Sequence, residues 1–330
     1  MWSRYARIVS VALAALSPFH AQAESPAPAQ WVTLGTVGGP IVHADQAQIS
    51  NALVVGDAVY LFDLGSGVLR QAAAANIPLR QLRAVFLSHH HPDHNADLGP
   101  VMLAKWLRGR REPMPIVGPR GTQRLVNGIV DGNAATEDAS YAVQGPANSP
   151  LASAFRAQDL PDLMEEPRLV YEDDRIRVLS ISVEHYEVPP SAPIAEGRRP
   201  FAVAFRVETA GKVYVYSGDS GPTRRLARLA KGADVLVTEV VHPEAIAAYL
   251  RKTLKGASAD FADGAADRMR KSHLTPEDIG KIAADAGVKS VVLTHFVPAL
   301  STQSDPSIFT RGISPAYTGP VFLARDLDRF

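Results

Sequence analysis

From residue 31 onward the apolar positions follow two rhythms. Short apolar or alternating runs at 31–36, 52–55, 58–62, 84–87, 115–118, 175–183, 202–208, 212–217, 235–238, 291–294 and 320–324 predict β-strands. Stretches with apolar positions three and four apart, at 66–75, 95–107, 122–130, 224–230, 243–254, 259–270 and 276–286, predict helices. Gly56-Asp57, between two of the strands, is a tight-turn dipeptide and predicts a hairpin. Residues 131–167 are polar and rich in Ala, Pro and Ser, and predict a loop or small excursion with no assigned element. Strands and helices mix in two similar halves. Such elements bury their apolar faces as two stacked sheets with helices outside, so the expected fold class is α/β, a four-layer αββα sandwich. One domain is expected over 31–330.

The N-terminal residues break this rhythm. Arg4 and Arg7 precede a short apolar run at 8–16, and Ala21-Gln22-Ala23 is a small-x-small cleavage site. That order reads as a signal peptide over 1–23, then a leader or linker over 24–30. A periplasmic or secreted chain follows. The apolar run is too short to span a bilayer as a stable helix, so no membrane contact is expected after cleavage. Composition then narrows the chemistry. The absence of cysteine removes disulfides and thiolate metal sites. Any metal must be held by the ten histidines and by carboxylates, which suits zinc first, and manganese or iron. Lys+Arg and Asp+Glu are equal at 34 each, so there is no global basic field. On that ground no nucleic-acid partner is expected.

Residues 88–94 read Ser-His-His-His-Pro-Asp-His and follow the strand at 84–87 directly. Loops at strand ends are where ligands collect on α/β scaffolds. His89 and His91 are two apart, so in extended backbone they point the same way and can grip one ion. Asp93 and His94 can reach a second, while His90 faces elsewhere. One loop cannot fill two metal shells. His185, Asp219 and His295, each at the exit of an apolar strand, are the candidates for the rest, and the Asp219 carboxylate can bridge two cations. Two divalent ions so placed can hold a hydroxide made from water at neutral pH and polarise a phosphoryl, sulfuryl or acyl oxygen. Asp93 can both ligate and orient that nucleophile. The expected reaction is ester hydrolysis.

These motifs resemble the metallo-β-lactamase superfamily over residues 31–325, and within it the ribonuclease Z and arylsulfatase-like branch. The likeness rests on Leu34-Gly35-Thr36, Leu61-Phe62-Asp63-Leu64-Gly65, His89-x-His91-x-Asp93-His94, Ser217-Gly218-Asp219 and Leu293-Thr294-His295. It implies that His89, His91 and His185 bind one metal, that Asp93, His94 and His295 bind the other, and that Asp219 bridges them. It implies that Asp63 braces the site from behind, and by analogy that the chain forms a homodimer. True β-lactamases place Cys or Ser where Asp219 stands, which disfavours β-lactam hydrolysis. The resemblance further implies that His273, in His-Leu-Thr before the helix at 276–286, protonates the leaving group with help from Glu239. Thr275 is an N-cap candidate with Asp278 at the third helical position. The alternative is that His273 only caps structure.

Ribonuclease Z proteins carry a long tRNA-clamping arm between the motifs matching His185 and Asp219. Here the strands at 202–208 and 212–217 leave only 186–200 for it. The leading expectation is therefore an exported dinuclear hydrolase of small anionic esters, phosphodiester or sulfate. A lactonase or other carboxylic-ester hydrolase on the same metals is the alternative. A ribonuclease Z-like endonuclease and a non-catalytic metal-binding protein rank below both. Arg198 and Arg199 are candidate substrate contacts or a plain surface turn. The insert at 240–272, with Arg251, Lys252, Lys255, Arg268, Arg270 and Lys271, is either a lid or a solvated face.

Overall fold

The computed structural model describes residues 28–108, 112–144, 149–253 and 258–330. The expected signal peptide, residues 24–27 of the leader, and Lys255 lie outside the described residues. Among the rest, no helix is long and apolar enough to cross a membrane.

Two sheets form the centre. The first runs in chain order: β1 (Ala29–Gly35), β2 (Ser50–Val55), β3 (Ala58–Leu64), β4 (Leu82–Phe86), β5 (Met114–Gly118) and β6 (Phe155–Asp159). Its first three strands form an antiparallel meander, with β2 and β3 turning at Gly56-Asp57 as expected, and its last three are parallel. The second sheet repeats the scheme. The strands β7 (Arg168–Glu172), β8 (Ile176–Val183), β9 (Ala202–Thr209) and β10 (Val213–Tyr216) are antiparallel. Then β11 (Val235–Val241), β12 (Val291–Val297) and β13 (Val321–Leu323) continue in parallel.

Inward and outward residues alternate along the central strands. On β3, Tyr60 and Phe62 face the second sheet, while Val59 and Leu61 face the outer helices. A strand buried on both faces reads as a continuous apolar run, which is why these strands were legible. The seam between the sheets is aromatic: Phe62 stacks on Phe86 at 4.8 Å, and Phe205 meets Phe86 edge-on at 5.6 Å. Each such buried ring contributes roughly 1.5–3 kcal/mol.

Outside the first sheet lie α1 (Val68–Ala74), α2 (Pro92–Asn95), α3 (Leu98–Trp106), α4 (Thr122–Gly132) and α5 (Ala134–Gln144). On the side of the second sheet are α6 (Arg224–Leu229), the pair α7 (Pro243–Thr253) and α8 (Ala259–Ser272), and α9 (Pro276–Ala286). Three apolar layers result, one between the sheets and one under each set of helices. This is the expected αββα sandwich.

Several boundaries differ from expectation. Strand β1 begins at Ala29, inside the stretch expected to be leader, because its backbone pairs with Val55 and Val54 of β2. Residues 325–330 close the other edge of β1: Trp31 N–H donates to the Phe330 carbonyl at 3.0 Å, and Phe330 N–H donates to the Trp31 carbonyl at 2.8 Å. The stretch 131–167 holds α5 and β6, and β7 follows it at once. Both of those strands end a sheet and have one face in solvent, so their apolar signal is thin. The helix expected over 95–107 runs as α3 from Leu98, and Asn95 instead ends the separate short α2, with a break between them. At the break, the Asp97 carboxylate accepts hydrogen bonds from the Gly67 and Val68 N–H groups at the start of α1.

Candidate functional site

The site lies where β3, β4, β10, β11 and β12 end, along the seam between the two sheets. Leaving β4, the chain bends at Ser88, is extended at His91, and turns into α2 with Pro92 as first helical residue. The loop brings the two rings together as expected: His89 Nε2 and His91 Nδ1 stand 3.0 Å apart, and His185, just past β8, brings its Nε2 to 3.1 Å from His91 Nδ1. Asp219 Oδ2 lies 3.7 Å from His89 and 3.8 Å from His185. On the other side of Asp219, its Oδ1 lies 3.3 Å from His94 Nε2 and 3.3 Å from His295 Nε2. Asp93 Oδ2 closes that set at 3.6 Å from His94 and 3.4 Å from His295.

These spacings answer whether the donors fit metal ions. Ligands of a tetrahedral ion at about 2.1 Å stand about 3.4 Å apart, which is the separation seen. His94 Nε2, His295 Nε2 and Asp219 Oδ1 are buried and have no hydrogen-bond partner. Orphaned buried polar atoms are rare and ask for an explanation. Two sets of convergent, desolvated lone pairs meeting at one carboxylate fit two divalent ions.

The tautomers agree. His185 Nδ1–H donates to the Ser272 carbonyl at 2.9 Å, and His94 Nδ1–H donates to Asp63 Oδ2 at 2.8 Å. Ser88 Oγ donates to Asp63 at 2.6 Å and lies 3.0 Å from His89 Nδ1, which can donate to it. Each contact leaves Nε2 as the open lone pair. Asp63 therefore orients His94 directly and His89 through Ser88. It also accepts from the Ser88 N–H and, across the seam, from the Tyr216 hydroxyl at 2.7 Å. Neither Ser88 nor Tyr216 was singled out by sequence reasoning. An Asp in β3 facing a Tyr in β10 is a signal only after the sheets are stacked.

Protonation follows the same division. Burial holds His89, His91 and His185 below their ordinary range, with His185 down to about 4. Burial would lower His94 too, but Asp219, Asp63 and Asp93 outweigh it and raise it well above. Burial works to raise Asp219, yet His295, His94 and His89 hold it well below the carboxylate range.

Three further positions shape the site through the backbone. Asp63 and His295 both have positive φ, 55° and 46°. His295 is the extra residue of a bulge: Glu239 pairs with Thr294 and Val240 with Phe296, so His295 has no partner on β11. Expectation put Glu239 and His295 just beyond their strands; both lie within β11 and β12, and the bulge turns the His295 ring inward. Gly38 lies against the face of that ring so closely that any Cβ would collide with it. The next N–H, of Gly39, donates to Asp93 Oδ2 at 2.7 Å. Gly218, at φ 55°, meets Ser88, where an added Cβ would stand 2.5 Å from the serine Cβ.

His273 ends α8 and sits beside this centre. Its Nδ1 is 2.5 Å from Glu239 Oε2 and 3.7 Å from Asp219 Oδ2. Glu239 Oε1 accepts from the Ser220 N–H at 2.6 Å. Burial tends to lower the His273 pKa, but the Glu239 carboxylate, with Asp219, pushes it up to about 9. Burial likewise raises Glu239. Thr275 caps α9 in a full capping box with Asp278, as expected. The insert is a helical hairpin held by Ala247, Leu250, Ala262 and Ala266 and by the ion pairs Arg251–Asp263 and Arg270–Glu244. Arg251 and Arg270 are thus paired, and the end of the insert delivers His273 and the Ser272 carbonyl. Of the candidate substrate arginines, Arg199 donates to the carbonyls of Val188, Pro189 and Pro190 within its own loop, and Arg198 is exposed. His90 turns away, toward the Pro119 carbonyl, and His242 accepts from the Ala245 N–H at the start of α7.

The comparisons with known proteins agree with this geometry. A family model described as a beta-lactamase superfamily domain matches residues 59–296. A ribonuclease Z of Mycolicibacterium paratuberculosis is 32% identical over 301 residues, 90% of this chain and 96% of that one. The metallo-beta-lactamase fold protein YhfI from Bacillus subtilis superposes with a TM-score of 0.61 at 20% identity, over 92% of this chain and 99% of that one. The short form of human tRNase Z superposes with a TM-score of 0.61 at 19% identity, over 91% and 98%. The ribonuclease Z relationship corrects the expectation that nucleic acid is not a partner. Zero net charge describes the far field of the whole molecule, whereas phosphate can be engaged by local charge at a site. From its relatives and its donor sets together, the chain belongs to the beta-lactamase superfamily, in the ribonuclease Z branch, and is a divalent-metal-dependent hydrolase of ester bonds.

Proposed function

We propose that this chain hydrolyses phosphodiester bonds, with RNA as the substrate class, at a pair of zinc ions. In this reading His89, His91 and His185 hold one ion, Asp93, His94 and His295 hold the other, and Asp219 spans both. Bound there, the ions would supply positive charge to a phosphoryl oxygen and lower the pKa of the attacking water. Asp93, pinned by the Gly39 N–H, orients the attack. Asp63 keeps the His94 and His89 rings in place. His273 protonates the departing oxygen, and Glu239 holds both its ring and its proton.

The observation that carries this reading is the His273–Glu239 contact at 2.5 Å beside Asp219. An alkoxide leaving a phosphodiester is a poor leaving group and gains most from a positioned acid, whereas lactone opening needs one less. The name of the relative that is 32% identical supports RNA. A small phosphodiester or sulfate ester is the second reading. It is supported by the segment 184–201, which joins β8 to β9 with one short turn at Glu196–Arg198 and has no room for a long arm. The order of charge, apolar run and Ala21-Gln22-Ala23 supports export.

The test is turnover by the zinc-loaded full chain on a tRNA-sized transcript, bis(nitrophenyl) phosphate, nitrophenyl sulfate and an acyl lactone. The expected result is cleavage of the transcript and of the model phosphodiester. His273→Ala should slow transcript cleavage by about 10²–10⁴-fold. Turnover of sulfate or lactone with none on either phosphodiester overturns the proposal.

A further inference from the structure

We propose that Tyr186 is a positioning residue for the ion assigned to His89, His91 and His185, and that it holds the His91 ring by packing where a hydrogen bond would ordinarily do so. A histidine ligand usually has its second ring nitrogen fixed by a hydrogen bond, which sets the plane of the ring. His89 Nδ1 has the Ser88 hydroxyl, and His185 Nδ1 has the Ser272 carbonyl. His91 differs. Its Nδ1 is the atom that faces the other two donors, at 3.0 and 3.1 Å. Its proton then sits on Nε2, for which no described residue is an acceptor. His91 is also partly exposed, whereas His89 and His185 are buried, so the core does not lock its ring.

The backbone supplies half of what is needed. Pro92 confines the residue before it to extended backbone, and His91 has φ −72° and ψ 148°. That fixes where the side chain starts and leaves its two side-chain torsions free. Tyr186 supplies the rest. Its ring meets His91 edge-on at 5.1 Å, His185 at 4.8 Å and His89 at 5.9 Å, a geometry that aromatic rings favour. Among the described residues it meets neither His94 nor His295, so its reach is to one ion. Its hydroxyl accepts a long hydrogen bond, 3.4 Å, from the N–H of His90, which lies between His89 and His91 in the chain. Tyr186 also follows His185 directly. One side chain thereby ties the ligand that leaves β8 to the two that leave β4, and its flat wall limits the planes open to His91.

The inference rests on the ligand sets proposed above. The test measures zinc binding to the full chain by competition with a chelating dye, for the wild type, Tyr186→Phe and Tyr186→Leu. Two ions per chain are expected in the wild type. In Tyr186→Leu, which lacks the ring, one ion should weaken by about 10–100-fold and the other should keep its affinity. Tyr186→Phe, which lacks only the hydroxyl, should stay close to wild type. Long-range nitrogen–proton NMR spectra of the zinc-loaded, histidine-labelled chain give a second readout. A ring ligated through Nδ1 differs there from rings ligated through Nε2, and that signature of His91 should be sharp in the wild type and Tyr186→Phe and broadened in Tyr186→Leu. Turnover of Tyr186→Leu should fall at limiting zinc and return with excess zinc, which a misfolded chain would not do. Tyr186→Met takes the place of Tyr186→Leu if the melting temperature of that variant drops. Wild-type affinity for both ions in the ringless variant overturns the proposal. So does equal weakening of both ions, or a loss in Tyr186→Phe as large as in Tyr186→Leu. A wild type that holds fewer than two ions overturns the ligand sets themselves, and this inference with them.

Discussion

The two sheets furnish the centre in opposite ways. The first gives most of its donors from one short loop, where His89, His91, Asp93 and His94 follow β4 directly. The second gives single residues from separate places: His185 past β8, Asp219 past β10, Glu239 in β11, His295 in β12 and His273 at the end of α8. The first set needs only an extended stretch and a proline-started turn of helix. The second needs correct register across four strands, a bulge, and glycines that let backbone approach side chains. Local chemistry is written in spacing, whereas dispersed chemistry is written in packing.

Asp219 tests whether the two contributions are separable. If the loop cluster could work alone, Asp219→Ala would leave part of the activity. We expect turnover to fall below detection and at least one of the two ions to be lost, measured by elemental analysis of the dialysed protein. Asp63→Asn strikes the local set from behind, through both His94 and His89. It should weaken metal binding by about 10–100-fold, read by competition with a chelating dye.

His273 sharpens the comparison on the dispersed side through pH. In the metal-free protein its folded pKa, about 9, lies above the ordinary value of about 6.5. Its stabilising contribution is therefore whole below about pH 6.5 and fades as pH rises through 9. Urea unfolding at several pH values should show that loss in the wild type and not in His273→Gln. The smallest effect is expected at Thr275, whose capping box fixes where α9 starts after His273. Thr275→Ala should cost about 1 kcal/mol of stability in the same unfolding assay, with metal content unchanged.

The same contrast explains what the sequence disclosed. The apolar runs of β3, β10 and β11 are buried on both faces and were plain. The half-solvated β6 and β7 were not, nor was α5, none of whose described side chains is buried. The loop cluster was legible because its donors are neighbours. His185, Asp219 and His295 were found as strand exits and through family likeness. The bulge that turns His295 inward carries no residue signature. The Tyr216–Asp63 bond joins residues that meet only once both sheets exist. Zero net charge misled about partners, because it sums over a surface while a site works locally.

One feature of β1 bears on how the chain is made. Among the described residues, its outer edge is covered by residues 325–330 alone. On a ribosome, β1 emerges well before residues 325–330, so nascent or prematurely terminated chains present an open row of N–H and C=O groups. A product stopped before residue 325 would keep its histidine loop and yet be prone to strand-to-strand aggregation.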